Sequence, residues 1–183
     1  MIIEKTHIEG LLVIKPRIFS DNRGEFIESF NASIHDAIGK QYTFIQDNES
    51  VSKVGVLRGL HFQNPPWEQG KLVRVSSGRV WDVAVDIRKN SPTYLKYYGL
   101  ELSGENKFMF WIPPGFAHGF LVLEENSVFS YKCTNFYNKE AEDALLWNDK
   151  TLNINWPIKH DLIISEKDLE AQTIDKFDSK FFY

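Results

Sequence analysis

Short segments in which apolar and polar residues alternate occupy the middle of the chain. In Val80–Ile87, every second residue from Trp81 onward is apolar, whereas the intervening positions include Asp82 and Asp86. A period of two is typical of a strand with one buried face, so this segment is predicted to be a half-buried strand. Further segments rich in β-branched or aromatic residues are predicted strands: Lys71–Ser76, Tyr97–Leu102, Phe108–Ile112, Phe120–Leu123 and Val128–Thr134. Many short strands separated by turn residues indicate a sandwich, jelly roll or barrel.

Helical signals are confined to the flanks of this strand-rich region. One short helix is predicted from Asn31 to a stop at Gly39, and a second opens at Ser165. No repeat, low-complexity tract or linker divides the apolar regions. A chain of 183 residues can bury one sizeable core, so we expect one domain over residues 1–183.

Charge and composition argue against several kinds of partner. The 25 acidic and 21 basic side chains give a formal net charge of −4, which does not suit a nucleic-acid-binding surface. The longest uncharged stretch, Phe108–Leu123, is shorter than the roughly 20 residues of a membrane span. Cys133 has no second cysteine to pair with, and the first ten residues lack the pattern of a secretion signal. We therefore expect a cytoplasmic protein that binds neither nucleic acid nor membrane and holds any anionic ligand in a local basic cluster.

Two histidine motifs, Val56–Gln63 with His61 and Pro113–Phe120 with His118, are similar to those of cupin barrels. The usual cupin metal site needs a second histidine two positions after His61, and that position holds Gln63. The nearest acidic ligand would be Glu68. At most two imidazoles and one carboxylate remain, which is fewer than the usual ligand set of a catalytic metal site. A cupin barrel without a metal is therefore the prediction.

Four residues in or after these motifs have alternative structural explanations. His61 alone is explained as a core histidine, and Arg58 would face the same cavity only if the strand bends at Gly59. Lys71 either points into solvent or is an isolated cation inside the barrel, and Tyr131 fits an ordinary core position. Asp168 follows Ser165 at capping-box spacing, so a helix cap explains it on spacing alone.

A longer series of motifs extends in order over about residues 19–168. It comprises Asp21–Gly24, Glu28–Asn31, Gln46–Asn48, Val56–Gln63, Lys71–Val75, Trp81–Asp86, Leu102–Lys107, Ile112–Leu123, Tyr131–Lys132, Trp147–Asp149, Asn155–Pro157 and Leu162–Asp168. This series closely resembles that of the dTDP-4-dehydrorhamnose 3,5-epimerase family. The resemblance implies an all-β, cupin-like jelly-roll barrel with short flanking helices.

The resemblance also implies an isomerase of dTDP-rhamnose and cell-surface polysaccharide biosynthesis. The family converts dTDP-4-dehydro-6-deoxy-D-glucose to dTDP-4-dehydro-L-rhamnose by inverting C3 and C5, whose protons are acidified by the C4 ketone. By resemblance, His61 is the base, Asp168 orients its imidazole, Tyr131 returns a proton from the opposite face, and Lys71 stabilises the enolate. Neither a metal nor a redox cofactor is expected.

The implied substrate-binding residues include two arginines that suit a diphosphate, Arg23 and Arg58, because guanidinium groups bind phosphate oxygens in bidentate geometry. The full set is Arg23, Glu28, Gln46, Asn48, Arg58, His118, Glu142 and Lys167, with Phe19, Phe26 and Tyr137 as walls for thymine or sugar. The family's enzymes are dimers whose N-terminal strands join the partner's sheet. We therefore expect a homodimer here.

Several alternatives stay open at this point. A relative could invert C3 alone, or invert both carbons of a different 4-keto nucleotide sugar. Tyr131 favours double inversion, since inversion at C5 needs that proton donor. A metal-dependent cupin oxygenase and a non-catalytic sugar-binding module belong to other functional classes, and the latter would have no use for the set of His61, Lys71, Tyr131 and Asp168.

Overall fold

The computed structural model describes all 183 residues, Met1–Tyr183, and consists mainly of short strands. In chain order the strands are β1 (Ile2–Lys5), β2 (Leu12–Lys15), β3 (Ile18–Asp21), β4 (Gly24–Ile27), β5 (Gln46–Ser52), β6 (Leu57–Gln63), β7 (Lys71–Ser77), β8 (Arg79–Asp86), β9 (Arg88–Lys89), β10 (Tyr97–Ser103), β11 (Met109–Ile112), β12 (Phe116–Val122), β13 (Ser127–Cys133), β14 (Glu142–Ala144) and β15 (Phe181–Phe182). The helices are α1 (His35–Ile38), α2 (Glu166–Leu169) and two 3₁₀ turns, Ala32–Ile34 and Ile174–Lys176.

Two antiparallel sheets face each other across an apolar interior. The first runs in the order β1-β2-β11-β7-β13-β5, and the second in the order β10-β8-β12-β6-β14. Val73, Phe110 and Phe129 from the first sheet pack against Ala84 and Phe120 from the second. Two sheets joined through a common core in this strand order form a jelly-roll barrel, which confirms the predicted all-β class.

The outer faces of both sheets are covered as well. Outside the first sheet, Leu72 and Trp111 pack against Ile34 of the N-terminal helical segment. Outside the second sheet, Val83 packs in a cluster that includes Phe181 near the C-terminus. The chain ends therefore serve as layers over the barrel.

Strand β8 is buried on both faces, so the prediction of a half-buried strand is wrong. Asp82 and Asp86 are wholly buried, because the C-terminal segment covers one face of the strand and the barrel interior encloses the other. A buried carboxylate is tolerated only when hydrogen-bond donors surround it. Asp82 meets His118, and Asp86 meets Arg88 and neighbouring hydroxyls.

Strand β12 begins at Phe116, four residues before the predicted start at Phe120. The preceding turn is completed by Gly115, whose φ of +91° lies in the region that favours glycine. His118 consequently lies within the strand and not in the turn before it. The other predicted strands in the middle of the chain agree with the structure to within one residue at each end.

The predicted helix boundaries are confirmed. The Asn31 side chain accepts a hydrogen bond from the backbone N–H of Ser33, and the helical segment stops at Gly39, where φ is +110°. Ser165 caps α2 by accepting a hydrogen bond from the backbone N–H of Asp168. No helix is long and apolar enough to cross a membrane.

Asp86 anchors the end of β8 through a buried ion pair. Its carboxylate accepts hydrogen bonds from Arg88 Nε at 2.9 Å and from Ser91 Oγ at 2.6 Å. Burial opposes ionisation, but the hydrogen bonds from Arg88 and Ser91 outweigh it and lower the pKa of Asp86 below its ordinary value. Arg88 also lies over the ring of Tyr183, so this pair connects the barrel to the C-terminus.

We predict that Asp86→Asn lowers the free energy of unfolding at pH 7 by about 3 kcal/mol, because the Arg88 guanidinium loses its counter-charge. Stability from a carboxyl with a lowered folded pKa is present above the unfolded pKa of about 3.9 and is lost as the pH falls through the folded value. Urea unfolding at pH 7 and pH 3 should therefore show a smaller difference from the wild type at pH 3. The exposed Glu105→Gln control should change stability by less than about 0.5 kcal/mol. An Asp86→Asn loss of equal size at both pH values would contradict this account.

Candidate active site

The site lies where β6 and the C-terminal segment meet at one end of the barrel. Arg58, His61, Lys167 and Asp168 line one cavity of about 370 Å³. Backbone hydrogen bonds dock the C-terminal segment on the start of β6, from Leu57 N to the carbonyl of residue 163 and from residue 163 N to the carbonyl of residue 55. This docking brings α2 against the histidine strand.

Arg58 and His61 reach the same cavity because β6 is irregular at Gly59. Gly59 has a φ of +123°, and the pairing of β12 with β6 shifts register between His118 and Phe120. A Cβ at Gly59 would lie only 2.5 Å from the Cα of Gly119, so the two strands approach through paired glycines. The bend that the sequence required at Gly59 is therefore observed.

His61 and Asp168 form a hydrogen-bonded pair. The distance from His61 Nε2 to Asp168 Oδ1 is 2.6 Å, although the two residues are 107 positions apart. Asp168 Oδ2 accepts a second hydrogen bond from the backbone N–H of Gly59 at 3.2 Å. Burial disfavours the charged carboxylate, but the bond and charge of His61 and the Gly59 N–H lower the pKa of Asp168 overall.

This geometry corrects the capping-box explanation of Asp168. Its backbone N–H does bond to Ser165 Oγ at 3.2 Å, as in a helix cap. Its carboxylate, however, is bound by His61 and Gly59 and does not return to the backbone of Ser165. Because His61 Nε2 is committed to Asp168, Nδ1 is the ring nitrogen left to accept a proton from a ligand.

Lys71 is a cation without a partner. It begins β7, and its side chain makes no hydrogen bond or ion pair with the protein. Of the two alternatives for Lys71, the structure therefore fits an isolated cation inside the barrel and not a lysine that points into solvent. Burial lowers the pKa of Lys71, and the charges of Cys133, Asp82 and Glu142 oppose that shift. Cys133 pairs with Lys71 across the β13–β7 ladder, and burial raises the pKa of its thiol. Lys71 is therefore poised to bind an electron-rich oxygen.

Tyr131 lies on β13 beside the barrel core and has a free hydroxyl. It packs against the interior cluster with its ring 5.9 Å from that of Phe129, and its Oη makes no hydrogen bond with the protein. Burial raises the pKa of Tyr131, while the charge of Arg58 opposes the rise. The phenol stays protonated near neutral pH and can donate its proton.

His118 lies directly opposite His61 in the β12–β6 pairing. Its Nε2 lies 2.9 Å from Asp82 Oδ2, deep inside the barrel. Burial lowers the pKa of His118, although the charge of Asp82 opposes this. Asp82 is a site residue that sequence reasoning missed, because its alternation with apolar residues suggested a solvent-facing side chain.

Three of the expected binding residues cluster beside the His61–Asp168 pair. Glu142 on β14 accepts a hydrogen bond from Tyr137 Oη at 2.7 Å and forms an ion pair with Lys167. Burial opposes ionisation of Glu142, but Lys167 and Tyr137 lower its pKa overall. Since Lys167 precedes Asp168, this ion pair ties the start of α2 to the barrel.

Gln46 and Asn48 bond to each other, whereas Arg58 bonds to a serine. Gln46 Nε2 donates to Asn48 Oδ1 at 3.1 Å, and Gln46 Oε1 accepts from the backbone N–H of Tyr137 at 3.0 Å. Arg58 Nη2 donates to Ser52 Oγ at 3.2 Å. The Arg58 guanidinium has no carboxylate partner and can therefore bind an anionic ligand.

The structure does not bring the expected residues of the β3–β4 hairpin to this cavity. Phe19, Arg23 and Phe26 line a separate cavity that contains none of the four catalytic candidates. The Arg23 side chain is 85% exposed and pairs only with Asp21. Glu28, just after the hairpin, accepts a hydrogen bond from Asn31 Nδ2.

The donor set around the histidines is not that of a metal centre. No group of three or more His, Cys, Asp and Glu side chains lies close enough together to hold a metal ion. Gln63, at the position of the second histidine of a cupin metal site, bonds instead to the backbone of Phe136 and Asn138. Next to the carboxylate-bound imidazole, the barrel interior holds a phenol, Tyr131, and an unpaired cation, Lys71, although neither lines the cavity at Arg58 and His61. These groups can move a proton beside a carbonyl and stabilise the charge that develops on its oxygen.

Comparison with known proteins identifies the family of this chain. The family model described as dTDP-4-dehydrorhamnose 3,5-epimerase matches residues 5–176. A dTDP-4-dehydrorhamnose 3,5-epimerase from Shigella flexneri is 52% identical, and the match covers 94% of this chain and 95% of that protein.

Solved structures show the same similarity in three dimensions. The dTDP-6-deoxy-D-glucose-3,5-epimerase of Legionella pneumophila, in complex with dTDP-4-keto-L-rhamnose, has a TM-score of 0.94 at 47% identity, over 99% of this chain and 97% of that one. A 3′-monoepimerase from Streptomyces bikiniensis, in complex with dTDP-quinovose, has a TM-score of 0.87 at 31% identity, over 93% of this chain and 86% of that one. On this evidence the chain belongs to the dTDP-4-dehydrorhamnose 3,5-epimerase family.

Proposed function

We propose that the protein inverts C3 and C5 of dTDP-4-dehydro-6-deoxy-D-glucose to give dTDP-4-dehydro-L-rhamnose. The observation that carries this proposal is the His61–Asp168 pair, whose free imidazole nitrogen shares a barrel with an unpaired Lys71 and a free Tyr131 hydroxyl. Similarity to a 3,5-epimerase at 52% identity, against 31% for the 3′-monoepimerase, favours inversion at both carbons.

The first step is removal of the proton on a carbon beside the ketone. His61 Nδ1 takes this proton, and the Asp168 carboxylate on Nε2 stabilises the imidazolium that forms. The electron pair of the C–H bond moves into the C–C bond, and the ketone oxygen becomes an enolate. Proton removal by His61 begins the inversion at C3 and at C5.

Lys71 stabilises the enolate by donating a hydrogen bond to its oxygen. Its ammonium has no hydrogen-bond or ion-pair partner to displace when it binds the ligand. Stabilisation of developing charge in a site shielded from water usually contributes more to the rate of such a reaction than any other single effect.

At C5, Tyr131 returns a proton to the carbon from the face opposite His61. Its hydroxyl is free and its pKa is raised by burial, so the group remains a proton donor at neutral pH. A proton removed on one face and replaced on the other inverts the stereocentre. His61 then loses its acquired proton to water, and the tyrosinate regains one, before the next turnover.

We further propose that the protein acts as a homodimer in which the β3–β4 hairpin completes the site of the second copy. Phe19 and Phe26 on this hairpin are 47% and 66% exposed, and Ile2 on the edge strand β1 is 63% exposed. Arg23 between the two aromatic residues would bring a guanidinium to the substrate diphosphate. A twofold-symmetric pair would place both hairpins in equivalent positions.

Incubation with dTDP-4-dehydro-6-deoxy-D-glucose in heavy water should introduce two deuterons, located by NMR at C3 and C5. His61→Asn should lower the rate of both exchanges by about 10²- to 10⁴-fold while dTDP still binds, as measured by calorimetry. Incorporation at C3 alone would identify a single epimerase. Absence of deuterium at both carbons would overturn the proposed function.

Tyr131→Phe is expected to remove mainly the exchange at C5, because inversion there depends on the phenolic proton. The measurement is the ratio of deuterium at C5 to deuterium at C3 during the first turnovers. Tyr137→Phe is the matched control, since it removes a hydroxyl that bonds Glu142 and should leave this ratio unchanged. Equal loss at both carbons in Tyr131→Phe would count against the assigned role.

Mixing two inactive variants tests the shared site. In a dimer of Arg23→Ala and His61→Asn chains, one site would combine the intact His61 of one copy with the intact Arg23 of the other. A random mixture should recover about a quarter of wild-type activity and sediment at twice the 21.3 kDa chain mass. If each hairpin served its own chain, the mixture would stay as inactive as its components.

A further inference from the structure

A second histidine–aspartate pair lies beside the first inside the barrel. His118 and His61 occupy directly paired positions on β12 and β6. His118 Nε2 lies 3.0 and 2.9 Å from the two carboxylate oxygens of Asp82. Asp82 is wholly buried and His118 is 6% exposed. The reaction described above gives Asp82 no role.

The surroundings of Asp82 determine where His118 carries its proton. His118 is the only hydrogen-bond partner of the Asp82 side chain. A buried carboxylate requires a donor, and a bare Nε2 would set one lone pair against another. The Nε2 of His118 therefore carries a hydrogen, and in a neutral ring Nδ1 is then an acceptor.

His118 Nδ1 forms no hydrogen bond with the protein, and it keeps some accessible surface, unlike a fully buried atom without a partner. A ligand between the two sheets can therefore reach it. The ring is held in place by Phe129, which stacks on it with centroids 6.1 Å apart and planes inclined by 22°. Burial lowers the pKa of His118, and the charges of Lys71 and His61 lower it further, whereas the charge of Asp82 raises it. Because the pKa is lowered overall, the ring is neutral at pH 7.

We propose that Asp82 is a positioning residue that holds His118 as a hydrogen-bond acceptor for the hydroxyl on C3 of the sugar. This inference rests on the proposed function and deepens it. Lys71 is a donor only and suits the ketone oxygen, which is an acceptor only. A donor beside an acceptor is complementary to a ketone with a hydroxyl on the next carbon. C5 bears no hydroxyl, so C3 is the neighbour of the ketone that His118 can recognise.

The pair therefore makes the site selective for an α-hydroxyketone. A site built to bind a substrate hydroxyl strongly rejects an analogue that lacks it, because a buried polar group is then left without a partner. If Asp82 became an amide, its N–H could donate to Nε2, and the imidazole proton would move to Nδ1. The acceptor facing the C3 hydroxyl would be lost while the ring stayed in place.

Nitrogen NMR of ¹⁵N-histidine-labelled wild-type protein tests the placement of this proton directly. At pH 7, His118 should carry hydrogen on Nε2 and none on Nδ1, with the signal assigned by its loss in His118→Asn. Asp82→Asn should shift the tautomer toward Nδ1–H. A wild-type His118 protonated on Nδ1 would overturn the proposal whether or not any variant folds.

Discrimination between two substrates tests the consequence. We compare kcat/KM for deuterium exchange at C5 in dTDP-4-dehydro-6-deoxyglucose and in its 3-deoxy analogue. The wild type should favour the first by at least about 100-fold, and Asp82→Asn should reduce that ratio at least about tenfold. Asp86→Asn is the matched control: it removes the other wholly buried carboxylate of β8 and should leave the ratio unchanged.

The outcomes separate this inference from the proposed function. An Asp82→Asn protein that loses activity equally toward both substrates would show a merely structural role and overturn the inference. If the wild type exchanged no deuterium in either substrate, the proposed function would fail. In that case the NMR tautomer would still decide whether His118 presents an acceptor to the cavity.

Discussion

A partly buried hydrogen bond between His61 Nε2 and the Asp168 carboxylate is the interaction on which the site depends. It joins the middle of a barrel strand to a short helix near the end of the chain. Several local features serve it: the irregular Gly59 supplies an N–H to the carboxylate, Ser165 caps the helix, and the segment before the helix docks on β6. Because the carboxylate is buried, it must be bound on both oxygens, and this requirement sets the orientation of the imidazole.

The barrel interior shields Lys71 and the two histidine–aspartate pairs from most of the water. Lys71 has no internal partner, whereas the two histidines are each bound by one aspartate. Phe120 and Phe129 stack on each other at a centroid distance of 4.0 Å, and both rings lie beside His118 and limit its movement. In such surroundings each charge acts on a ligand more strongly than it would in water, which suits a reaction whose central species is an enolate. In the proposed reaction, the preformed groups Tyr131, His61 and Lys71 are the acid, the base and the group that stabilises the enolate.

Much of the fold could be predicted from local sequence patterns, whereas the site depended on tertiary contacts. Alternating strands and the caps at Asn31 and Ser165 are local properties, and the structure confirms them. The burial of both faces of β8 was missed, since nothing within that strand reveals that the C-terminal segment covers it. Asp82 was expected to face solvent for the same reason, because its partner His118 lies on a different strand. The bend at Gly59 was foreseeable from the spacing of Arg58 and His61, but its cause, the approach of Gly119, is a contact between distant positions.

The central claim is that one sugar ring lies between His61 and Tyr131 with its ketone on Lys71. A crystal structure of the protein with the bound nucleotide sugar at equilibrium tests it most directly. We expect the ketone oxygen at about 3 Å from Lys71 Nζ, with His61 Nδ1 and Tyr131 Oη on opposite faces of the ring. A sugar with both groups on the same face, or with its ketone turned away from Lys71, would contradict it.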